Sequence, residues 1–408
     1  MNRLSVVDEI FLHRHRGLGL PVVMQGLWRS DDTVDLPLLI SLHDALARGP
    51  LGRRVVRPRM PGARPRFEPT LESRPLHYPA DPIPVDGVLA WADLQAEVDV
   101  DPQRRPGWAL AAAPVAGGGT VVSLVCSHVL ADARGLLDAV TGALAGTAEP
   151  PSPDHTSDVR DALHLVRQVG RGLRGVHYSP ASGTAPPPRT VAARPVTALL
   201  DVDAEQWDRI AETDGGTPNA LFLAVGAGIA RRAGVPSPVR IAVPVGAAPD
   251  TDATANGVST TEVVVGAADT PARIRAAARE AYRRPREGAP HGIPDEILQL
   301  MPDRLAARMA AGAGERDVLC SNIGPIPDSL TTFGPHRTTG FAARAMHPGL
   351  PAARATTSTR LSAYLCALGG HYTLALVALD GDLFPDSTAL RTHADAELAA
   401  RGLQARYW

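Results

Sequence analysis

The stretch Ser127-His128-Val129-Leu130-Ala131-Asp132-Ala133 holds the residues of this chain best suited to chemistry. It follows an apolar run, Val121–Cys126, that reads as a buried strand. An imidazole delivered by a rigid strand end can act as a general base, because its ordinary pKa of about 6.5 leaves it able to take a proton near neutral pH. Asp132 follows four residues later, too close to serve as a relay partner in an extended chain. In a tight loop it turns away and pairs with an arginine, which fixes the loop. The same residues admit a plainer outcome, a surface histidine beside a helix-capping aspartate. On spacing alone that outcome is the commoner one for so short a pattern.

The elements that must hold His128 can be read around it. Strand alternation points Val122, Leu124 and Cys126 one way and Ser123, Val125 and Ser127 the other. Gly135 and the run Leu136, Leu137, Val140, Leu144 then predict a helix. Upstream, Leu20–Trp28 is apolar enough for a strand. Asp35 caps a helix with Pro37 in its first turn and Leu38, Leu39, Leu42 and Leu46 at helical spacing. Arg53–Arg66, rich in Arg and Pro, predicts an extended surface loop, with phosphates or an acidic carrier protein as a less common use of such a stretch.

Gly146–Pro153 and Tyr178–Pro195 are rich in Pro, Ser, Gly and Thr and flank a helix over Val159–Arg174. The second of them suggests a linker at 179–195, between an N-terminal subdomain, 1–178, and a C-terminal one, 196–408. The C-terminal half restarts with a strand at Val196–Val202. Further strands are predicted at Val239–Val245, Thr261–Val265, Val318–Ser321, Leu361–Leu368 and Tyr372–Leu379. Helices are predicted at Ala220–Arg232 (capped by Thr217-Pro218-Asn219), Ala272–Arg284, Ile293–Ala311 with a break at Pro302, and Asp386–Ala400. Each half mixes helix and strand in an α/β manner.

Composition removes several function classes. At 408 residues the chain is too long for one ordinary core, and two domains are the natural expectation. The net charge is −2, and all 41 basic residues are arginine, so nothing points to nucleic acid. Three scattered cysteines, Cys126, Cys320 and Cys366, fit a reducing compartment without a disulfide framework. Acids near the N-terminus stand where a signal peptide needs an apolar core, and no apolar run approaches the roughly 18–20 residues of a membrane span. A cytoplasmic location is expected. His13 and His15 alternate like metal ligands but lack a third ligand nearby in sequence, so no metal site is expected. Trp108 and Cys126 are expected in the core. There is no Gly-x-Ser-x-Gly elbow, phosphate-binding loop or His-Glu-x-x-His.

Ser127–Ala133 resembles the His-His-x-x-x-Asp-Gly signature of the chloramphenicol-acetyltransferase-like superfamily, with Ser127 at the first His and Ala133 at the Gly. That group includes nonribosomal condensation domains, polyketide-associated acyltransferases and wax ester synthase/diacylglycerol acyltransferases. More of the chain is similar to the last branch. Leu4-Ser5-Val6-Val7-Asp8-Glu9-Ile10-Phe11-Leu12 resembles its opening Leu-Ser-x-x-Asp-x-x-Phe-Leu, and Arg105-Pro106-Gly107-Trp108 its Pro-Leu-Trp element. Thr217–Ala224 is similar to its Thr-x-Asn-Asp-x-x-Leu-Ala helix, with Ala220 in place of the Asp. Arg240–Val245 and then Asn256 resemble its Val-Pro-Val-Ser strand and later Gly-Asn, and Cys320–Pro325 its Ser-Asn-Val-Pro-Gly-Pro. The matches run in order across nearly the whole chain.

The resemblance implies two chloramphenicol-acetyltransferase-like subdomains forming a pseudo-dimer around a central tunnel. It implies acyl transfer from a coenzyme A or carrier-protein thioester to a hydroxyl or amine of a small-molecule acceptor. His128 is then the general base, Asp132 a structural residue with Arg240 as its candidate partner, and Ser321 or Asn322 the donor to the oxyanion. Ser127, Asn219 and Gly324 are candidate substrate-binding residues. No resident cofactor is implied, because acyl-CoA or a phosphopantetheinyl carrier is a co-substrate. Two rivals stand beside this reading. One is a stand-alone condensation enzyme of natural-product assembly using a carrier-bound donor. The other is a catalytically silent, carrier-binding scaffold, motivated by Ser127, Ala133 and Ala220.

Overall fold

A computed structural model describes residues 3–149, 157–174, 189–190, 194–213, 215–246, 256, 258–283, 295–310, 315–349 and 356–408. The N-terminal half begins with α1 (Val6–His13), β1 (Val23–Ser30) and α2 (Leu36–Arg48), followed by β2 (Arg53–Val56) and β3 (Arg66–Pro69). Next come α3 (Val88–Ala96), β4 (Trp108–Pro114), β5 (Thr120–Ser127), α4 (Ala133–Leu144) and α5 (Asp158–Arg174). A short strand, β6 (Arg189–Thr190), is all that is described within the expected linker before residue 194; the rest of it up to there lies outside the described residues.

The C-terminal half contains β7 (Val196–Asp203), α6 (Ala204–Thr213), α7 (Pro218–Arg232), β8 (Val239–Gly246), β9 (Val258–Val265), α8 (Pro271–Arg283) and α9 (Asp303–Met309). It continues through β10 (Val318–Pro325), β11 (Thr332–Phe333), β12 (His336–Met346), β13 (Thr356–Thr357), β14 (Leu361–Leu368), β15 (His371–Ala378), α10 (Ser387–Ala399) and β16 (Arg406–Tyr407). Pro302 separates α9 from a short 3-10 turn at Asp295–Leu300, so the expected break falls at the expected proline.

Two sheets organise the molecule. One has five strands in the order β11-β12-β1-β5-β4, and the other seven in the order β16-β7-β15-β14-β10-β8-β9. β12 lies beyond residue 196 in sequence yet pairs antiparallel with β1, from Val23–Met346 to Ser30–Thr338. The C-terminal half therefore lends a strand to the N-terminal sheet. Its sequence does not announce this, because Thr, Gly, Ala and Arg dominate it and β-branched apolar residues are absent. Its Arg344 is fully buried, donating from Nε to Gln25 Oε1 at 2.8 Å and pairing with Asp93 at 2.6 Å.

Pleating divides the core into layers. On β1, Met24 and Trp28 join Leu39 and Leu42 of α2 and Leu136 and Val140 of α4. Val23 and Leu27 face the other way and pack with Trp91 of α3 and with Leu199, Tyr364, Ala375 and Val377 of the second sheet. The far face of that second sheet is covered by α6, α7, α8 and α10, through Trp207, Phe222, Ile274 and Leu390. The order is helices, sheet, junction, sheet, helices, an α/β architecture of two lobes.

The Arg53–Arg66 stretch departs from the expected surface loop. β2 and β3 pair antiparallel from Arg53–Pro69 to Val56–Arg66, and Arg53 donates a hydrogen bond to the Leu130 carbonyl within the His128–Asp132 loop. Its guanidinium stacks on Phe67 at 4.1 Å, which makes it a structural cation rather than a solvated one.

Candidate active site

Strand pairing continues past β5 and sets the backbone of His128. The Ser127 N–H donates to Gly107 O at 2.8 Å and the His128 N–H to Val22 O at 2.9 Å. His128 itself is half-buried. Phe11 of α1 stacks on its ring, with centroids 3.9 Å apart and planes 14° from parallel. Its Nδ1 lies 2.8 Å from Asn256 Oδ1.

The tautomer follows from the partners of Asn256. The Asn256 Nδ2 donates to the His128 carbonyl at 2.7 Å and to Asp8 Oδ1 at 2.7 Å. A carbonyl oxygen can only accept, so the amide nitrogen must face it and the amide oxygen must face the imidazole. Nδ1 therefore carries the proton and Nε2 holds the lone pair. Among the described residues, no hydrogen bond engages Nε2. Burial pushes the pKa of His128 below its ordinary value, while its own backbone carbonyl, Asp132 and Asn256 pull it partly back. The ring is thus neutral and basic at neutral pH.

Asp8 is the anchor of this arrangement. Ser5 and Asp8 form a capping box at the start of α1: Ser5 Oγ accepts from the Asp8 N–H at 3.1 Å, and Asp8 Oδ2 accepts from the Ser5 N–H at 2.8 Å. Its other oxygen is left for Asn256. Asp8 and Asn256 are 1 % and 3 % exposed. Burial raises the pKa of Asp8, against the pull of its bonds to Asn256 and Ser5. Asp8, Phe11 and Asn256 fall within the resembling motifs, but one dimension gives them no role. Their shared signal was two separate motif matches, and nothing in one dimension showed that the two meet at one ring.

A second histidine stands nearby. Val23 pairs with Ser127 on one side and Met346 on the other, so His128 and His347 leave the sheet at the same level, flanking Val22. Burial first, then Arg14 and His128, push the His347 pKa down to about 4, so both imidazoles are uncharged at neutral pH. His13, by contrast, is engaged elsewhere: its Nδ1 lies 2.9 Å from Asp303 and its Nε2 3.6 Å from Glu9. These two carboxylates are remote from it in sequence or a turn away on α1. Among the described residues there is no group of three metal-ligating side chains.

Two expected roles change. Asp132 does not pair with Arg240. It is the N-cap of α4, accepting from the Gly135 N–H at 2.9 Å, while Arg240 donates to Glu262 at 2.9 and 3.1 Å in the second sheet. A β-region backbone just ahead of an amphipathic helix makes a cap the nearer use for this carboxylate. Ser127 is 3 % exposed and its Oγ accepts from the Val129 N–H at 3.4 Å, so it closes the turn rather than facing a ligand.

The remaining candidates gather in the second sheet. Asn322 donates from Nδ2 to Asn219 Oδ1 at 2.9 Å, and its Oδ1 accepts from the Gly324 N–H at 3.0 Å. Asn219 in turn donates to the Tyr282 hydroxyl at 3.0 Å. Pleating separates Ser321 from Asn322. Val318 and Cys320 face the α7 layer, whereas Leu319 and Ile323 pack into the junction between the sheets. Ser321 shares the second orientation and Asn322 the first. The end of β10 also touches the N-terminal core: Gly324 pairs with Cys366, which packs in the cluster holding Cys126 and Leu130.

Comparison with known proteins completes the picture. No protein-family model matches the chain, and no curated protein matches it in sequence. Solved structures do match. The first condensation domain of the CDA synthetase is 15 % identical with a TM-score of 0.59, covering 97 % of this chain and 96 % of that one. The wax ester synthase/diacylglycerol acyltransferase from Marinobacter aquaeolei VT8 is 15 % identical with a TM-score of 0.57, covering 98 % of this chain and all 100 % of the other. A starter condensation domain of rhizomide synthetase, in complex with C8-CoA and Leu-SNAC, is 13 % identical with a TM-score of 0.58, covering 98 % and 93 %. The chain has the chloramphenicol-acetyltransferase-like fold of condensation and acyltransferase domains, with two such subdomains. Among the described residues, no helix is long and apolar enough to cross a membrane.

Proposed function

We propose that the protein is an acyltransferase that moves an acyl group from a thioester to a hydroxyl or amine, with His128 as the general base. One observation carries this reading. The Asn256 amide locks the Nδ1–H tautomer and leaves Nε2 as the acceptor, at the strand end of a fold shared with acyl-transferring domains.

The chemistry follows from that nitrogen. Nε2 takes the proton of the acceptor O–H or N–H as the oxygen or nitrogen attacks the thioester carbonyl carbon. The tetrahedral oxyanion forms, and its collapse breaks the C–S bond. The leaving thiolate takes the proton back from the imidazolium. The products are an ester or amide and a free thiol, and no covalent enzyme intermediate is required. Such base catalysis is worth roughly 10²–10⁴-fold. Ser321, on the junction face of β10, is the candidate hydroxyl donor to the oxyanion; Asn322, turned toward α7, is assigned to binding. Against the scaffold alternative stands the whole set of hydrogen bonds around His128 despite Ser127 and Ala133; Ala220, its third motive, lies on α7 apart from them.

The test is turnover by wild type and His128→Ala on a panel of acyl-CoA and acyl-carrier thioesters with hydroxyl and amine acceptors, read by mass spectrometry. The expected result is His128-dependent product, with the variant slower by about 10²-fold or more. Its melt should fall modestly, since Asn256 loses a partner worth about 1 kcal/mol. Wild-type-like rates in the variant would refute the base assignment.

A further inference from the structure

α5 presents two rows of side chains outward, one apolar and one cationic. Val159, Leu163 and Val166 recur at i, i+4 and i+7, so they form a single stripe, and they are 50 %, 52 % and 56 % exposed. A different stripe, Ala162, Leu165 and Val169, is buried and holds the helix to the protein. Among the described residues no other helix exposes three large apolar side chains. Arg160, Arg167 and Arg171 recur at i, i+7 and i+11, forming a second row beside the exposed stripe, and all three are exposed. The two acids of α5 are held by arginines of the N-terminal lobe: Asp158 pairs with Arg3 at 2.7 Å and Asp161 with Arg64 at 2.6 Å. Among the described residues none of the three outward arginines has an acidic partner, so the uncompensated charge of the helix is positive. The chain beside the first turn repeats this composition. The Arg59 N–H donates to Asp158 Oδ2 at 3.2 Å, which holds exposed Arg59 and Met60 next to α5.

A partner for this ridge must accept aliphatic groups and carry negative charge. Protein partners are held mainly through aromatic and arginine anchors seated in pockets, and α5 is a convex ridge without an aromatic residue. A lipid surface conforms to a ridge and needs no pocket. An interfacial helix has this layout: its aliphatic side chains dip into the boundary between headgroups and acyl chains, while bordering arginines keep their charge among the headgroups. Each arginine near an anionic leaflet strengthens binding by about fivefold. We infer that α5 docks the protein on an anionic membrane surface, with Val159, Leu163 and Val166 entering the interface and Arg160, Arg167 and Arg171 on the lipid phosphates. The docking is independent of the acyl-transfer reading, because none of these side chains belongs to the His128 site.

The experiment is flotation of the full chain with two kinds of vesicle, phosphatidylcholine alone and an equal mixture of phosphatidylcholine and phosphatidylglycerol. Six proteins are compared, each first shown to melt cooperatively: wild type, Val159→Ser/Leu163→Ser/Val166→Ser, Arg160→Gln/Arg167→Gln/Arg171→Gln, His128→Ala, and the controls Leu94→Ser on α3 and Arg273→Gln on α8, whose native side chains are also exposed. Wild type should bind the anionic vesicles at least about tenfold more tightly than the neutral ones. Each triple variant should lose at least about tenfold in binding to the anionic vesicles. His128→Ala and the two controls should bind as wild type does. In a seventh protein, Leu163→Trp, the indole emission should shift to the blue on binding and be quenched by a lipid with brominated acyl chains. Equal binding to both vesicles by wild type, wild-type binding by either triple variant, or an indole that stays in water while the protein is bound overturns the proposal. Sedimentation of the protein without lipid tests the other occupant. A concentration-dependent dimer that the apolar triple variant abolishes would give this face to a second copy of the chain and likewise overturn it. Vesicle binding with all these dependences but no acyl transfer would sink the acyltransferase reading and leave the membrane surface standing; His128-dependent turnover by a protein that ignores the vesicles would do the reverse.

Discussion

The ends of β5 and β10 are built in opposite ways. At the end of β5, His128 is stacked on Phe11 and tied through Asn256 to a carboxylate that is 1 % exposed. At the end of β10, Asn322 is exposed and bonded to another amide and a backbone N–H. Burial shifts the protonation of the first region, lowering His128 and His347 and raising Asp8. The second offers exposed neutral amides. A base must keep one tautomer and one orientation, and the stacked ring with its Nδ1–H held by a buried amide supplies both. A recognition surface must exchange water for ligand, which favours groups that already face solvent. On the proposed reading, proton transfer belongs to the N-terminal lobe and substrate holding to the C-terminal one.

Among the residues that position His128, the largest expected effect that would sharpen this contrast comes from Asn256. Asn256→Leu removes the acceptor for Nδ1–H, so the ring is free to adopt the other tautomer and to tilt. We expect kcat to fall by about 10²-fold, a large part of what base catalysis contributes. The pH profile separates positioning from charge. A hydrogen bond to Nδ1–H favours the protonated ring, so its loss lowers the pKa further, and the acid limb of kcat/KM should stay put or move to lower pH. A shift of that limb to higher pH would mean that Asn256 acts some other way.

Asp132 comes next. As an N-cap its removal in Asp132→Ala costs about 0.5–2 kcal/mol of stability. A buried ion pair would have cost about 3–5 kcal/mol. Chemical denaturation distinguishes the two, and a loss at the upper figure would restore an ionic partner for this carboxylate. Because Asp132 also pulls the His128 pKa upward, the variant should not raise the acid limb.

Much of the frame was legible in one dimension, and the reasons are local. Thr217-Pro218 and Asp35 announce their helices because a side-chain cap and an early proline act within a single turn. The strand before His128 shows because all eight of its residues are buried and its apolar content is high. β12 stayed hidden for the opposite reason: Arg344 is tolerable in a core only because Gln25 and Asp93, some 250–320 positions away, satisfy it. For Asp132 the local cap is a simpler use of the geometry than a long-range ion pair. The meeting of Asp8, Phe11 and Asn256 at one imidazole is likewise a property of topology, since Asn256 lies 128 residues from His128 and 248 from Asp8.

The smallest effect, a several-fold change in KM at Asn322, belongs to a test of the pleat at Ser321 and Asn322. These neighbours were interchangeable as oxyanion donors in sequence, yet β10 turns Ser321 toward the junction with Leu319 and Asn322 toward α7 with Cys320. An oxyanion donor acts on the transition state, and losing one typically lowers kcat by about 10²–10³-fold. A residue that binds substrate and transition state equally raises KM and leaves kcat alone. Ser321→Ala should therefore lower kcat, whereas Asn322→Ala should raise KM several-fold with kcat nearly unchanged. Steady-state kinetics on both variants reads the split directly. If Asn322→Ala instead lowers kcat by two orders of magnitude, the exposed end of β10 takes part in the chemistry and the division of labour between the lobes fails.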